Sequence, residues 1–240
     1  KKFVILVIEN LERRYGNLKI EFLVNIGSKS FIIPETIVNT WIIVIALLIF
    51  AAIVNKKVKN ANVNEKPSKF LNVIEVYVEM INNLVSDTMG QKHLNFAPYI
   101  LTLMTFLLFA NLMGLIGFTP PTSDYSVTLT LALITFTLTQ YHGLKTNGFF
   151  GYLKGFTEPL VLLTPLNVIG ELANPISLSF RLFGNILAGG LIMTLFYSAV
   201  GFLAPLIAPP FHAYFDVFSG VLQSFIFTML TMVFIGGNLD

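Results

Sequence analysis

The sequence predicts an all-α membrane protein of about five membrane helices plus one amphipathic surface helix, the last two membrane helices being long and steeply tilted. Three observations carry this prediction. Apolar residues make up 55% of the 240 and charged ones only 12%, whereas soluble domains run near 25% charged; mean hydropathy is +0.75. The apolar residues gather in runs of about 20, the length a helix needs to cross a hydrocarbon core of ~30 Å. One further segment is amphipathic at helical spacing and suits a membrane surface. The net charge of +2 is too small to point to nucleic acid. The absence of cysteine removes disulfides, thiol nucleophiles and thiolate metal sites.

Residues 1–35 read as an external N-terminal tail and residues 36–240 as a single membrane domain. The opening Lys1-Lys-Phe-Val-Ile-Leu-Val-Ile8 is followed by Glu9 and Asn10 without a small-residue cleavage site, so it reads as neither signal peptide nor complete span. The first span is 36–54, with Trp41 near one end. The loop after it carries Lys56, Lys57, Lys59, Lys66 and Lys69 against Glu65 alone. Lysine-rich loops stay in the cytoplasm, which puts the N-terminus outside and the C-terminus inside. The tail's own cations, among them Arg13, Arg14 and Lys19, are partly balanced by Glu9, Glu12, Glu21 and Glu35.

Residues 69–90 set Phe70, Val73, Ile74, Tyr77, Met80, Ile81 and Leu84 against Glu75, Glu79, Asn82, Asn83 and Asp87, which makes this the surface helix. Residues 96–118 and 126–142 form a hairpin of spans. Its turn, 119–125, lacks lysine and arginine and fits the outer side. The glycine-rich loop running to Thr157 holds Lys145 and Lys154 and fits the inner side. The last two segments, 160–203 and 209–237, meet at Leu203-Ala-Pro-Leu-Ile-Ala-Pro-Pro210. The first is longer than a perpendicular span requires, so it tilts, lies partly flat or breaks; Asn174-Pro175 is the natural place for a kink.

Candidate functional residues sit in these two segments. Arg181 is the one lysine or arginine after Lys154. An arginine at membrane depth costs from roughly 2.5 kcal/mol to 10 kcal/mol or more unless it faces a partner or water. On a helical wheel, Asn167, Glu171, Asn174, Arg181 and Asn185 fall within an arc of about 80°, and His212, Asp216, Ser219 and Gln223 within about 60°. Interhelical hydrogen bonding alone accounts for Asn174, Ser177, Ser219 and Asn238 taken singly. Glu171 and Asp216 ask for more. A carboxylate at this depth is protonated, paired or wet, and each state is useful for moving ions. His212, beside Pro209-Pro210, reads equally as a titrating group or as a helix end at the surface. Tyr141 and His142 read as interfacial.

At this point Pro175-Ile-Ser-Leu-Ser-Phe-Arg-Leu-Phe-Gly-Asn-Ile-Leu-Ala-Gly189, with Leu222-Gln-Ser-Phe-Ile-Phe227, closely resembles the a subunit of F-type rotary ATP synthases. The resemblance extends from about residue 31 to the end, through Asn39-Thr-Trp41 and Asn111-Leu-Met-Gly-Leu-Ile-Gly117. It implies a stator that embraces a ring of c subunits, with two aqueous half-channels reaching the ring from opposite sides without meeting. Arg181 matches the family's essential arginine, which draws ionised ring carboxylates, releases their ions and separates the channels. Asn185 and Gln223 match polar positions beside it, while Glu171 and Asn174 fall in the stretch where members carry acidic or polar channel residues.

The departures are informative. Many members have an acid where this chain has Asn167. Many bacterial members have glutamate at the place of Gly190 and histidine at the place of Asp216, which makes Asp216 the leading channel carboxylate here. The resemblance implies partners in the c-ring, the peripheral stalk b subunits, the rest of the ATP synthase complex and membrane lipid, in a bacterial plasma membrane. It implies a non-catalytic subunit translocating protons or sodium ions, with no cofactor. No glycine-rich nucleotide loop or nucleophile–base pair is present in the sequence. The alternative, a stand-alone ion-coupled secondary transporter with Arg181 on an anionic substrate, would be expected to show an inverted repeat, and none is evident.

Overall fold

The computed structural model describes residues 34–61, 68–158 and 160–239, together with three strand segments closer to the N-terminus. The membrane domain is all-α. Its helices are α1 (Glu35–Lys59), α2 (Lys69–Met89), α3 (Ala97–Leu112), α4 (Tyr125–Gly155), α5 (Thr164–Val200), α6 (Ala204–His212) and α7 (Ser219–Gly236). The three strands, β1 (Ile5–Leu6), β2 (Phe22–Ile26) and β3 (Lys29–Ile33), form an antiparallel sheet in the order β1-β2-β3, with Val24 opposite both Ile5 and Phe31. This sheet is an addition to the expected tail; the rest of that tail before Pro34, and residues 62–67 of the lysine-rich loop, lie outside the described residues, while Lys56, Lys57 and Lys59 belong to α1 and Lys69 opens α2.

Among the described residues, four helical stretches are long and apolar enough to cross a membrane: Glu35–Lys59, Gln91–Ile116, Val161–Leu203 and Leu206–Gly236. The fifth expected span, 126–142, lies within α4. Its five threonines and Gln140 dilute its apolar character. Thr130, Thr137 and Thr139 turn their hydroxyls back onto carbonyls of their own helix at 2.7, 2.8 and 2.9 Å, which hides them from lipid. The loop expected after residue 142 is instead helix to Gly155, interrupted at Gly148, whose φ of 67° an L side chain rarely adopts.

Local chemistry explains where the helices begin and end. Glu35 occupies the first turn of α1 and Lys56, Lys57 and Lys59 its last, complementing the helix dipole. Ser68 caps α2, accepting from Leu71 N at 3.4 Å, and Asp124 caps α4, accepting from Ser126 N at 2.9 Å. α5 runs 37 residues straight through Pro175, a length of roughly 55 Å at 1.5 Å per residue. The helix therefore does not break at Asn174-Pro175, and its length exceeds what a perpendicular crossing needs.

α7 is the centre of the bundle and packs on α2, α3, α4 and α5. One buried cluster joins Ile81, Val85 and Met89 of α2 to Ile100, Met104, Met232 and Ile235; a second joins Leu103, Leu107, Ala132, Leu178, Leu182 and Phe227. Apolar contact does little to draw helices together where the solvent is itself apolar, so polar contacts fix the register. Asn111 supplies the most connected one. Its amide donates to Gly220 O (3.1 Å) and Ser224 Oγ (2.9 Å), and its carbonyl accepts from Thr122 Oγ1 (2.8 Å). Thr135 and Thr231 meet at 3.1 Å between α4 and α7. Asn39 donates to Thr119 O (2.9 Å) and Thr36 to Asp124 Oδ2 (3.1 Å), tying α1 to the turn before α4.

Candidate functional site

Arg181 is exposed, and it forms no hydrogen bond or ion pair among the described residues. Beside it, within about 80° of the α5 wheel, lie Gly170, Ala173, Ser177 and Ala188, all exposed, and Gly184, half-buried, with the exposed Leu166, Leu191, Ile192 and Leu195 on the same arc farther along the helix. An adjacent face of α5, centred roughly 100° around the wheel from Arg181, buries Pro175, Leu178, Ser179, Leu182 and Gly189. Glu171, Asn174 and Asn185 stand on the border between the two faces, each half-buried. The polar stripe expected from the sequence thus divides into a free cation and two bonded clusters.

The first cluster surrounds Glu171. Gln140 Nε2 donates to Glu171 Oε1 at 2.7 Å, Asn174 Nδ2 lies 3.4 Å from Oε2, and the Tyr152 hydroxyl donates to Gln140 Oε1. Pro175 has no N–H to give the Glu171 carbonyl one turn back, so the proline leaves a backbone acceptor here as well. A cavity of about 730 Å³ opens onto this cluster, lined by Tyr152, Lys154, Glu158, Asn167, Glu171 and Asn174 among others. Asn167 spends its amide on Phe156 O (2.9 Å) and Glu158 O (3.2 Å), closing the connection between α4 and α5. Burial first, and then the neighbouring Glu171 carboxylate, push the Tyr152 phenol up, against the opposing effect of its bond to Gln140; it remains a donor at neutral pH.

The second cluster lies where α5 and the last segment meet. His212 Nδ1 sits 2.5 Å from Asp216 Oδ2, and His212 Nε2 sits 2.6 Å from the Tyr197 hydroxyl. α6 runs on through Pro209-Pro210 to end at His212, and the chain continues from there without a break into a π-helical turn and α7. Asp216 is carried on a π-helical turn, Ala213–Phe218. Such turns widen the helix, rotate the residues after them and recur at functional sites. Past this turn, Ser219 Oγ donates to Asn185 Oδ1 at 2.9 Å, crossing from α7 to α5. Gln223 is buried at 6% exposure and its Nε2 has no partner among the described residues, which is costly for a buried donor. Neither Asn185 nor Gln223 bonds to Arg181.

Measured along α5 from Arg181, Glu171 lies roughly 15 Å toward the N-terminal end and Tyr197 roughly 24 Å toward the C-terminal end. Gln140, Tyr152 and Tyr197 were not singled out from the sequence. Their partners are 12 to 31 residues away along the chain, and no local pattern announces them. Among the described residues, no group of three or more His, Asp or Glu side chains could hold a metal ion.

Four helical stretches long and apolar enough to cross a membrane, two of them carrying a bonded carboxylate and one an arginine without a partner among the described residues, make this a multi-pass integral membrane protein. The ATP synthase A chain family matches residues 37–236. The chain is 36% identical over 232 residues to ATP synthase subunit a of Trichlorobacter lovleyi, covering 95% of each chain. It is 38% identical over 211 residues to ATP synthase subunit a of Geobacter sulfurreducens, covering 86% of this chain and 88% of that one. A third relative, ATP synthase subunit a, sodium ion specific, of Propionigenium modestum, is 35% identical over 230 residues, covering 89% of this chain and 76% of its own. The chain belongs to the ATP synthase A chain family, and its partners are the other subunits of the ATP synthase complex.

Proposed function

We propose that this chain is the stator of the membrane motor, passing protons or sodium ions to and from a c-ring through two half-channels that Arg181 keeps apart. The observation that carries this reading is the free, exposed Arg181 with one carboxylate cluster toward each end of α5. A cation left without a partner at membrane depth is tenable when a partner from outside the chain meets it. Ionised carboxylates passing one at a time would meet it; a neutralised carboxylate gains nothing from it and is held less. Guanidinium stays charged in surroundings that could strip a proton from an ammonium.

The Glu171 cluster, with Asn174 and the cavity between α4 and α5, serves the cytoplasmic half-channel. Tyr197, His212 and Asp216 serve the external one, with Asn185 and Gln223 lining the approach to Arg181. Lys145 and Lys154 on the inner side and the cation-free 119–125 turn on the outer side support this orientation. Asp216 stands where many members have histidine, and its bond to His212 one turn earlier gives back a carboxylate–imidazole pair on a single helix. Carboxylates and neutral amides can pass either coupling ion.

The subunit is non-catalytic in this proposal, and ATP chemistry belongs to its partners. The external N-terminal segment and α1, whose outer face is apolar and exposed at Trp41, Ile45, Leu48 and Ile49, are the surfaces offered to lipid and to the peripheral stalk b subunits of a bacterial plasma membrane. The test is ATP-driven pumping by the whole complex in vesicles carrying Arg181→Ala, alongside passive leak after the soluble head is stripped. Loss of pumping with assembly intact is expected; undiminished pumping would overturn the proposal.

A further inference from the structure

We infer that Gln140 and Tyr152 form a latch that orients the Glu171 carboxylate toward the cavity between α4 and α5, making both of them positioning residues of the inner half-channel. The inference rests on the proposed role of Glu171 and goes beyond it by assigning two residues of another helix to its control.

The latch is built from three features of α4. Gly148, at φ 67°, breaks the helix and redirects its last two turns. Tyr152 on that redirected arm lies over Gly143, where an added Cβ would come within 2.7 Å of the ring's Cε2 and 3.0 Å of Asn238 Oδ1. Only glycine leaves room for the ring there. So seated, the Tyr152 hydroxyl donates to Gln140 Oε1. An amide whose oxygen is taken by a donor presents its NH₂ on the other side, and there Nε2 meets Glu171 Oε1 at 2.7 Å. The second carboxylate oxygen is left toward Asn174 and the cavity.

The charged and titratable groups around Glu171 are few. α4 contributes Tyr152 and Lys154, and the segment after it contributes Glu158, which lies 4.0 Å from Lys154 as a largely exposed pair. α7 and the turn after it contribute Phe234 and Asn238 and no titratable side chain among the described residues. The neutral latch is therefore the closest control on this carboxylate. A carboxylate that loses a donor holds a proton more readily. An amide also fixes which oxygen faces the water, and a merely structural contact would not.

The experiment measures passive proton flux against pH through the whole membrane sector in vesicles after the soluble head is stripped, in the parent and in Glu171→Gln, Gln140→Leu, Tyr152→Phe and the double variant. Gln140→Leu, which removes the amide donor from Glu171 Oε1, is expected to move the flux midpoint, and Tyr152→Phe to move it by less in the same direction. The double variant should match Gln140→Leu alone, because Tyr152 acts through Gln140. If Glu171→Gln leaves the profile unchanged, the inner half-channel reading fails and the latch fails with it. If Glu171→Gln changes the profile while Tyr152→Phe and Gln140→Leu leave the midpoint in place, the latch alone is refuted. Should Gln140→Leu fail to assemble, Tyr152→Phe decides by the same criterion, since it removes a single hydroxyl.

Discussion

Replacing Asn111 by alanine tests whether one buried amide holds the frame on which the site stands. Asn111 is 2% exposed and makes three hydrogen bonds, to Gly220 O, Ser224 Oγ and Thr122 Oγ1. The alanine variant loses all three. Interhelical hydrogen bonds in membranes average about 0.6 kcal/mol and reach about 1.7 kcal/mol, so the loss amounts to roughly 2 to 5 kcal/mol. The upper half of that range is favoured because Gly220 packs close: a Cβ there would stand 3.3 Å from the Asn111 Cβ, so no neighbouring side chain fills the gap. α7 then loses its fixed height against α3, and Gln223, one turn from Gly220, loses its depth. The assay is denaturant-driven release of the chain from the detergent-solubilised complex, with pumping measured in vesicles. Asn111→Asp, which keeps the acceptor for Thr122 and loses both amide donors, should be nearly as harmful. An alanine variant within about 0.5 kcal/mol of the parent would refute the reasoning, since that is the range of an uninvolved surface position.

Further outcomes follow from the same geometry. Arg181→Lys keeps a cation but exchanges a permanent fork for a titratable point charge, and coupled pumping is expected to be lost without loss of assembly; pumping within twofold of the parent would refute the electrostatic role. Asp216→Asn should slow ion flux at least tenfold with assembly unchanged, and His212→Gln, which keeps hydrogen bonding but cannot carry a proton, should slow it to a similar degree. Equal flux in parent and His212→Gln would remove the imidazole from the path. Gly220→Leu, forced against Asn111, should lower release stability as much as Asn111→Ala does, as measured by the same denaturant series.

Much of the helical layout is legible because a bilayer demands long uninterrupted runs: α1, α3, α5 and α7 announce themselves by length and composition alone. α2 does so through its polar face. The continuation of α4 past residue 142 is hidden by Gly143, Gly148, Gly151 and Gly155, which read as a loop; only Gly148 has a positive φ, and the others serve close packing or sit in ordinary helix. The antiparallel pairing of Phe22–Ile26 with Lys29–Ile33 has a local signal, two β-rich runs separated by Gly27-Ser28. Within the site, wheel geometry correctly grouped Glu171 with Asn174 and His212 with Asp216, residues one turn apart. It could not show that Asn185 bonds to Ser219 or that Glu171 bonds to Gln140, because those pairings depend on how two helices cross. Nor does a fixed 100° step anticipate a π-helical turn, which shifts every residue after it.

The small, exposed residues flanking Arg181 carry a consequence for motion. Gly170, Ala173, Ser177 and Ala188 offer almost nothing for a neighbouring helix to lock into. Interdigitated side chains make an interface strong by giving it one deep resting position, and leaving that position means breaking many contacts at once. A nearly smooth track has shallow wells of similar depth, so a neighbour can advance along it by small steps driven by charge alone. Between Gly170 and Ala188 the single tall exposed feature on that arc is the arginine, with the exposed Leu166, Leu191, Ile192 and Leu195 standing farther along on either side. The landscape felt by a passing partner over the central stretch is therefore chiefly electrical.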